Sequence, residues 1–204
     1  MKRVGILGGT FDPIHLGHLI PAEYAFDYLK LDRLLLIPSA APVHRPKHNP
    51  ASPSDRLRMC QLAAASIPGF EVSDIEVARP DPSYTILTLT ALRQTLPPGT
   101  EVYLLVGEDN LPLLHTWQAI ADIVSLARIA VLPRPHDAPP DLAPLEALIG
   151  PPEVRAITSR LVPGPLMPIS ATLIRNRVRA GQPIAGMVPR SVADFIAASR
   201  LYVE

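Results

Sequence analysis

VGILGGTFDPIHLGH, residues 4–18, is the stretch that decides the fold of this chain. Its first four residues form a short apolar run that ends in two glycines, which is typical of a buried parallel strand. Region 16–29 then repeats apolar residues at helical spacing, and a second apolar run, 34–37, closes at a proline. These three segments predict a β-α-β unit within the first 40 residues.

Strand and helix patterns alternate along the rest of the 204 residues. Further strands are predicted at 70–75, 102–106, 127–132 and 154–161. Further helices are predicted from 54 onward, at 84–95, around 111–115, at 117–124, around 145–149, at 171–180 and at about 191–199. Ser170 is the predicted N-cap of the 171–180 helix, and Gly181 fits the position after its end. The order predicts an α/β fold: a doubly wound, Rossmann-like parallel sheet with helices on both faces. We expect a single domain over residues 1–204, with a small helical part at about 170–204.

The composition indicates a globular protein without a bias toward nucleic acid. Hydrophobic residues make up 48% of the chain and the formal net charge is +0, whereas nucleic-acid-binding chains carry an excess of basic charge. The single cysteine, Cys60, excludes an internal disulfide framework and a cysteine-based zinc cluster, and it is expected to be buried in a helix. The N-terminal apolar run is too short for a signal peptide or a membrane span. We therefore expect a cytoplasmic protein with no nucleic-acid or membrane partner, and a homo-oligomer stays possible.

The loop between the first strand and the first helix carries the first chemical motif. Open α/β sheets bind ligands at the carboxyl ends of their strands. Gly8 and Gly9 allow close approach to the backbone, and the helix N-terminus offers amide groups to phosphate. His15 and His18 face the same way at the helix start, where they could stabilise charge on phosphoryl oxygens. An isolated His-x-x-His could be structural, and a metal site would need a third ligand, but the whole loop favours the phosphate role.

A second motif, ISATLIR, covers residues 169–175. Ser170 caps a helix whose first amides can hold an anion, and Arg175 adds a permanent positive charge. Taken alone, the motif could equally be an ordinary capped helix with a surface arginine. The two motifs together, one domain's length apart, predict a phosphate-binding site.

At these two motifs the sequence resembles the HxGH nucleotidyltransferase superfamily, whose signatures match HLGH at 15–18 and ISATLIR at 169–175. The resemblance implies adenylyl transfer from ATP by direct in-line attack, without a covalent enzyme intermediate, and with Mg²⁺ carried on the ATP phosphates rather than in a protein metal site. It implies that the catalytic residues are His15, His18 and Arg175. It also implies a set of ATP-binding residues: Gly8, Gly9, Thr10, Phe11, Gly107, Asp109, Ser170 and Thr172. For Asp109, a helix-capping role stays open.

Other segments resemble the bacterial nicotinate-nucleotide adenylyltransferases, namely 37–45, PSYT at 82–85, 106–117, LPRP at 132–135 and the ending that includes LY at 201–202. By that resemblance the acceptor is nicotinate mononucleotide and the product is nicotinate adenine dinucleotide, in NAD biosynthesis. Trp117 would stack on the pyridine ring and Thr85 would lie against the nicotinate carboxylate. The full set of implied acceptor-binding residues is Asp12, His44, Arg45, Thr85, Trp117 and Arg134.

The loop that would hold the acceptor phosphate departs from the family pattern. The family usually has Pro-Pro-His-Lys where this chain reads Pro42-Val43-His44-Arg45, so either Arg45 or Lys47 would supply the positive charge. Two other functions stay open. One is transfer to a different acceptor, nicotinamide mononucleotide or phosphopantetheine. The other is a non-catalytic nucleotide-binding module, which is disfavoured because both signature histidines and the arginine are present.

Overall fold

The computed structural model describes residues 2–40, 51–79, 81–135 and 139–203, and its centre is a five-stranded sheet in which every pairing is parallel. The strands are β1 (Arg3–Gly9), β2 (Arg33–Pro38), β3 (Phe70–Val72), β4 (Glu101–Gly107) and β5 (Arg128–Leu132). They lie in the order β3-β2-β1-β4-β5. The chain reverses its direction of winding between β1 and β4, and open α/β sheets bind ligands at such a point. The predicted Rossmann-like parallel sheet is confirmed.

Helices connect the strands and cover both faces of the sheet. A 3-10 helix at Glu108–Thr116 follows β4 directly. The α-helices are α1 (Leu16–Tyr28), α2 (Pro53–Ala64), α3 (Thr85–Thr95), α4 (Ile120–Leu126), α5 (Ala143–Ile149), α6 (Pro151–Thr158), α7 (Ala171–Arg179) and α8 (Arg190–Ala198).

Each central strand divides its side chains between two apolar cores, because successive residues of a strand point to opposite faces. In β2, Leu34 and Leu36 enter a core shared with α1, α2, α7 and α8, whereas Leu35 and Ile37 enter a core shared with α3, α4, α5 and α6. Cys60 lies in the first core as a free thiol, as predicted. Burial raises the pKa of that thiol far above its ordinary value, so it is a packing residue.

The prediction of a strand at 154–161 is wrong. Residues Pro151–Thr158 form α6, and the sheet is extended there only by a bridge between Leu161 and Val131. Two prolines occupy the first turn of α6, where the missing amide donors cost nothing and the fixed φ favours the helix. Val154 and Ile157 are three residues apart and both are buried, so the β-branched residues follow a helical rather than a strand period.

The remaining elements follow the predictions with small shifts at their ends. β3 stops at Val72 instead of residue 75, since the chain turns at Asp74, whose carbonyl accepts from Ala78 N at 2.8 Å. Residues of α7 and α8 belong to the first core, while the division into one domain with a small helical part stays a prediction. Within the described ranges, no helix has the length and apolar character needed to cross a membrane.

Candidate active site

A cavity of about 540 Å³ lies where β1 and β4 end and where α3 and α7 begin, a size typical of small-molecule sites. Every predicted site residue that the structure describes lines this cavity, apart from Arg175. Those lining residues are Gly8, Gly9, Thr10, Phe11, Asp12, His15, His18, Thr85, Gly107, Asp109, Trp117, Arg134, Ser170 and Thr172. His44 and Arg45, with the alternative Lys47, lie outside the described residues.

The loop after β1 brings its two histidines together at the start of α1. His15 is the N-cap residue and is only 2% exposed. Its ring stacks on the His18 ring with the centroids 3.7 Å apart and the planes 25° from parallel. The Phe11 ring meets His18 edge-on at 5.2 Å. The His18 ring is therefore packed between the rings of His15 and Phe11, which limits the conformations that it can adopt.

A hydrogen bond sets the tautomer of His18. The backbone amide of His15 donates to His18 Nδ1 at 3.3 Å. In the neutral ring one nitrogen accepts and the other carries the proton, so Nε2 is the donor nitrogen of His18. A fixed N–H donor at a helix N-terminus is suited to an anionic phosphoryl oxygen.

The N-terminus of α7 forms the opposite wall of the cavity. Ser170 Oγ accepts from Leu173 N at 3.2 Å, which confirms the predicted cap, and Gly181 has a φ of +65° directly after the helix. Ser170, Ala171 and Thr172 line the cavity. The first amides of α7 therefore face the same space as the histidines and add a partial positive charge to it.

Arg175 lies behind this wall rather than in the cavity. It is 7% exposed, so it is not a surface arginine. Its Nη1 donates to the backbone carbonyl of Asp12 at 2.7 Å, and its Nη2 donates to Thr172 Oγ1 at 3.2 Å. Arg175 therefore joins the loop after β1, called here the first signature loop, to the amino end of α7. Its positive charge lies directly behind Asp12 and Thr172, which line the cavity.

Asp12 occupies the floor of the site and is 1% exposed. Its Oδ1 accepts from Ala51 N at 3.0 Å and from Tyr202 Oη at 2.8 Å, while its Oδ2 lies 3.8 Å from Arg175 Nη1. This carboxylate connects the first signature loop with α7, with the start of α2 and with the chain end.

A buried arginine of α2, Arg56, supports the same loop from below. Its guanidinium donates to the carbonyls of Thr10, Ser39, Ala40 and Ala51, over distances of 2.6–3.1 Å. Burial lowers the pKa of Arg56, and the nearby Asp12 acts in the opposite direction. Arg56, Arg175 and Asp12 together leave a net positive charge under the cavity, which favours a polyanionic ligand.

The wall formed by α3 and the segment after β4 contains the predicted acceptor residues. Thr85 is the first residue of α3, so the amino end of that helix lies at the cavity. Trp117 is half-buried at the end of the 3-10 helix. Asp109 does not cap that helix, since Gly107 is the N-cap residue; its Oδ1 lies 3.9 Å from Arg134 Nε instead.

Five polar residues line the cavity without being among the predicted site residues: Ser39, Glu76, Ser83, Thr88 and Asn110. Ser39 follows the last residue of β2, and its buried Oγ has no hydrogen-bond partner among the described residues. Glu76 Oε1 accepts from Thr88 Oγ1 at 2.6 Å, and Thr88 accepts from Arg79 Nη2 at 3.1 Å. Ser39 could have been found from its place at the carboxyl end of a parallel strand. No local pattern identifies Glu76 and Thr88, because their meeting depends on how α3 packs.

The described residues do not fit a protein-bound divalent metal. They contain no group of three or more His, Cys, Asp or Glu side chains that could hold one. The buried Asp12 carboxylate is already engaged by an amide, a phenol and a guanidinium.

The fold and site define a nucleotidyltransferase class: residues 6–177 match the family described as cytidylyltransferase-like. The overall backbone resembles a Plasmodium falciparum nicotinic acid mononucleotide adenylyltransferase, solved as a complex with APC, with a TM-score of 0.72 at 16% identity. The match covers 99% of this chain and 98% of that one. At this identity the likeness supports the fold alone.

Full-length relatives narrow the class. A probable nicotinate-nucleotide adenylyltransferase from Herpetosiphon aurantiacus is 44% identical over 203 residues, covering 100% of both chains. Another from Roseiflexus sp. (strain RS-1) is 45% identical over 201 residues, covering 98% of this chain and 97% of that one. The chain belongs to the nicotinate-nucleotide adenylyltransferase family and is an enzyme, as the sequence resemblance predicted.

Proposed function

We propose that the protein transfers the adenylyl group of ATP to nicotinate mononucleotide, giving nicotinate adenine dinucleotide and pyrophosphate in NAD biosynthesis. The observation that carries the proposal is the single cavity in which His15 and His18, the amino end of α7, and the Thr85–Trp117 wall meet. The family membership supports the same reaction. The described part of the cavity therefore has one side suited to phosphates and another suited to an aromatic acid.

The reaction exchanges one phosphoanhydride bond for another. A phosphate oxygen of nicotinate mononucleotide forms a bond to the α-phosphorus of ATP. The bond between that phosphorus and the bridging β-oxygen breaks, and pyrophosphate leaves with the electron pair. A phosphate monoester is already anionic at neutral pH, so the enzyme aligns the two reactants and stabilises charge rather than removing a proton.

The phosphate side of the cavity carries the charge stabilisation. His18 Nε2 and the first amides of α7 donate to the ATP phosphates, and His15 holds the His18 ring in position through their stacking contact. The Gly8–Gly9 backbone lies against the nucleotide. Arg175 acts from behind the wall, through Thr172 and Asp12. Preorganised donors of this kind stabilise the transition state without reorganisation.

The acceptor side of the cavity explains why nicotinate mononucleotide, which carries a carboxylate, is the proposed acceptor rather than the corresponding amide. The partial positive charge at the amino end of α3 favours an anion at Thr85, and the nicotinate carboxylate is one whereas the amide is not. Trp117 offers an aromatic face to the pyridine ring. Asp109 and Arg134 complete this end of the cavity.

Magnesium enters as part of the nucleotide substrate. Mg²⁺ keeps several waters and is commonly held by substrate phosphates and one or two carboxylates, and the described residues form no cage for it. We also propose a cytoplasmic location.

An acceptor panel tests the function. Pyrophosphate release is measured with MgATP and, in turn, nicotinate mononucleotide, nicotinamide mononucleotide and phosphopantetheine. Turnover is expected with the acid and much less with the other two. A strong preference for the amide would contradict the roles of Thr85 and Trp117, and ATP binding without pyrophosphate release for every acceptor would contradict the proposed enzyme activity.

His18→Ala tests the phosphate side. Removing one preorganised donor is expected to lower kcat by about 10²–10³-fold, and thermal unfolding checks that the variant remains folded. His115→Ala is the matched control, since the ring of that histidine forms a hydrogen bond with the Pro112 carbonyl within the 3-10 helix. Turnover of His18→Ala within about threefold of the unchanged protein would remove His18 from the mechanism.

A further inference from the structure

The chain end contacts the floor of the active site. After α8 the backbone turns back, with Leu201 N donating to Ile196 O at 3.0 Å. Tyr202 has a φ of +65°, in the left-handed region that residues with a side chain rarely adopt. The turn brings Tyr202 Oη to 2.8 Å from Asp12 Oδ1, across 190 positions of sequence.

We infer that Tyr202 is a positioning residue of the adenylyl-transfer reaction and that it acts through Asp12. The inference rests on the proposed function. Tyr202 does not line the cavity, whereas Asp12 does and belongs to the loop that also carries His15 and His18. The contact that connects Tyr202 to the cavity is the hydrogen bond that it donates to the Asp12 carboxylate.

Asp12 is the junction of three segments that the reaction needs. Its backbone carbonyl and its Oδ2 face Arg175 of α7, and its Oδ1 holds Ala51 N. Ala51 is the first described residue after segment 41–50, which contains His44 and Arg45. A rotation of this carboxylate would therefore disturb its contacts with Arg175 Nη1 and with Ala51 N together.

The Tyr202 hydroxyl is suited to fixing that rotation. Burial raises the pKa of the Tyr202 phenol above its ordinary value, and Asp12 raises it further, so the hydroxyl is protonated at neutral pH and can donate. A hydrogen bond to a charged acceptor is stronger than one between neutral groups. The phenol ring packs against the first core, which holds the donor in place.

Tyr202→Phe tests the inference, because it keeps the ring and removes only the hydroxyl. With the full chain, calorimetry gives the number of ATP-binding sites per protein, and steady-state kinetics then give kcat per site and both KM values. We expect full ATP stoichiometry, a kcat about tenfold lower and a raised KM for nicotinate mononucleotide. Tyr28→Phe, which alters an exposed phenol on α1, is expected to match the unchanged protein.

A double-mutant cycle tests whether Tyr202 acts through Asp12. Asp12→Ala is expected to lower kcat by itself. Adding Tyr202→Phe to it should then cause little further loss, because the carboxylate that accepts the hydrogen bond from the Tyr202 hydroxyl is already gone. Purely additive losses would show that Tyr202 acts by another route and would overturn the inference.

Two results of the single variant would also overturn it. One is a kcat/KM within about twofold of the unchanged protein. The other is a loss of activity that matches a loss of ATP-binding sites with both KM values unchanged, since this describes a smaller folded fraction rather than misplaced groups. Failure of the proposed function would be seen separately, as absent turnover of the unchanged protein in the acceptor panel.

Discussion

At Gly17, between the two signature histidines, α1 passes close to the segment that precedes α7. A Cβ placed there would lie 2.9 Å from the Ile169 carbonyl oxygen and 2.9 Å from His15 Nδ1. The Ile169 oxygen is a backbone atom, so it cannot move aside by a change of rotamer as a side-chain atom can. The glycine of the HLGH motif is therefore required by packing between the two signatures and not by an unusual φ. The same position ties the geometry of His15 to that of Ile169.

Gly17→Ala is expected to lower both activity and stability. The added methyl group must push α1 from the Ile169 backbone or displace the His15 ring, so kcat should fall by about 10–100-fold. The free energy of unfolding should fall by about 1–3 kcal/mol, as for other overpacked sites. Urea unfolding and the pyrophosphate assay measure the two effects.

Gly8→Ala is the matched control for Gly17→Ala. A Cβ placed at Gly8 would have no atom within 4 Å, and Gly8 lines the cavity. Its unfolding free energy should stay unchanged, while the KM for ATP should rise because the methyl group occupies ligand space. Equal losses of stability in the two variants would contradict the packing argument at Gly17.

At the scale of elements, α1 has three distinct parts: its amino end lies at the cavity, one face packs on the first core, and the opposite face is exposed to solvent. Leu19, Ala22 and Ala25 face the first core, and the histidines stand at the first turn. Glu23 and Asp27 lie four residues apart on the solvent side, where like charges at this spacing destabilise a helix. Partial desolvation by the surrounding protein raises the pKa of Glu23 above its ordinary value of 4.5, although the side chain is exposed, and the charge of Asp27 raises it further.

Glu23→Gln is expected to stabilise the protein at neutral pH. A raised pKa in the folded state means that ionising Glu23 costs folding free energy. That cost is absent below pH 4.5, where Glu23 is protonated folded or unfolded, and complete above the raised pKa. At pH 7 the variant should gain about 0.2–0.5 kcal/mol, or about 1 °C in Tm. Thermal unfolding between pH 4 and 7 checks this, and a gain that is constant over that range would contradict it.

On the scale of the whole molecule, Arg56 connects parts of the chain that are distant in sequence. From α2 it reaches the carbonyls of Thr10 in the signature loop and of Ser39 and Ala40 after β2. It also holds Ala51, so it binds the residues on either side of segment 41–50. Ala40 N in turn donates to Ser83 Oγ, just before α3. The frame of the site depends on a side chain that is itself almost completely buried.

Arg56→Met is expected to be strongly destabilising, although methionine fills much of the same volume. Four carbonyls would lose their donor in a buried place, and the Asp12 carboxylate would lose a nearby positive charge. We expect a loss of about 3–5 kcal/mol in the free energy of unfolding, measured with urea. Arg58→Met on the exposed side of α2 is the control and should change stability by less than about 0.5 kcal/mol.

The elements were predictable where one local rule applied. β1, β2 and β4 are continuous apolar runs, and α7 has a capping serine and a terminal glycine, so pattern and structure agree. The prediction at 154–161 was wrong because two β-branched residues on a helical face have the composition of a strand. In this segment the composition favoured a strand, whereas the spacing of the buried residues favoured a helix, and the spacing was correct.

The sequence by itself determined the five strands of the sheet, most of the helices, the Ser170 cap, the family and most of the residues that lie around the cavity, because signature motifs and apolar periods are local in the chain. Only the tertiary structure decided that Arg175 stands behind the wall, that Asp12 accepts from Tyr202, and that Arg56 supports the signature loop. Each of these contacts joins residues between 46 and 190 positions apart. Their partners are chosen by how the helices pack on the sheet, and no local pattern of residues encodes that choice.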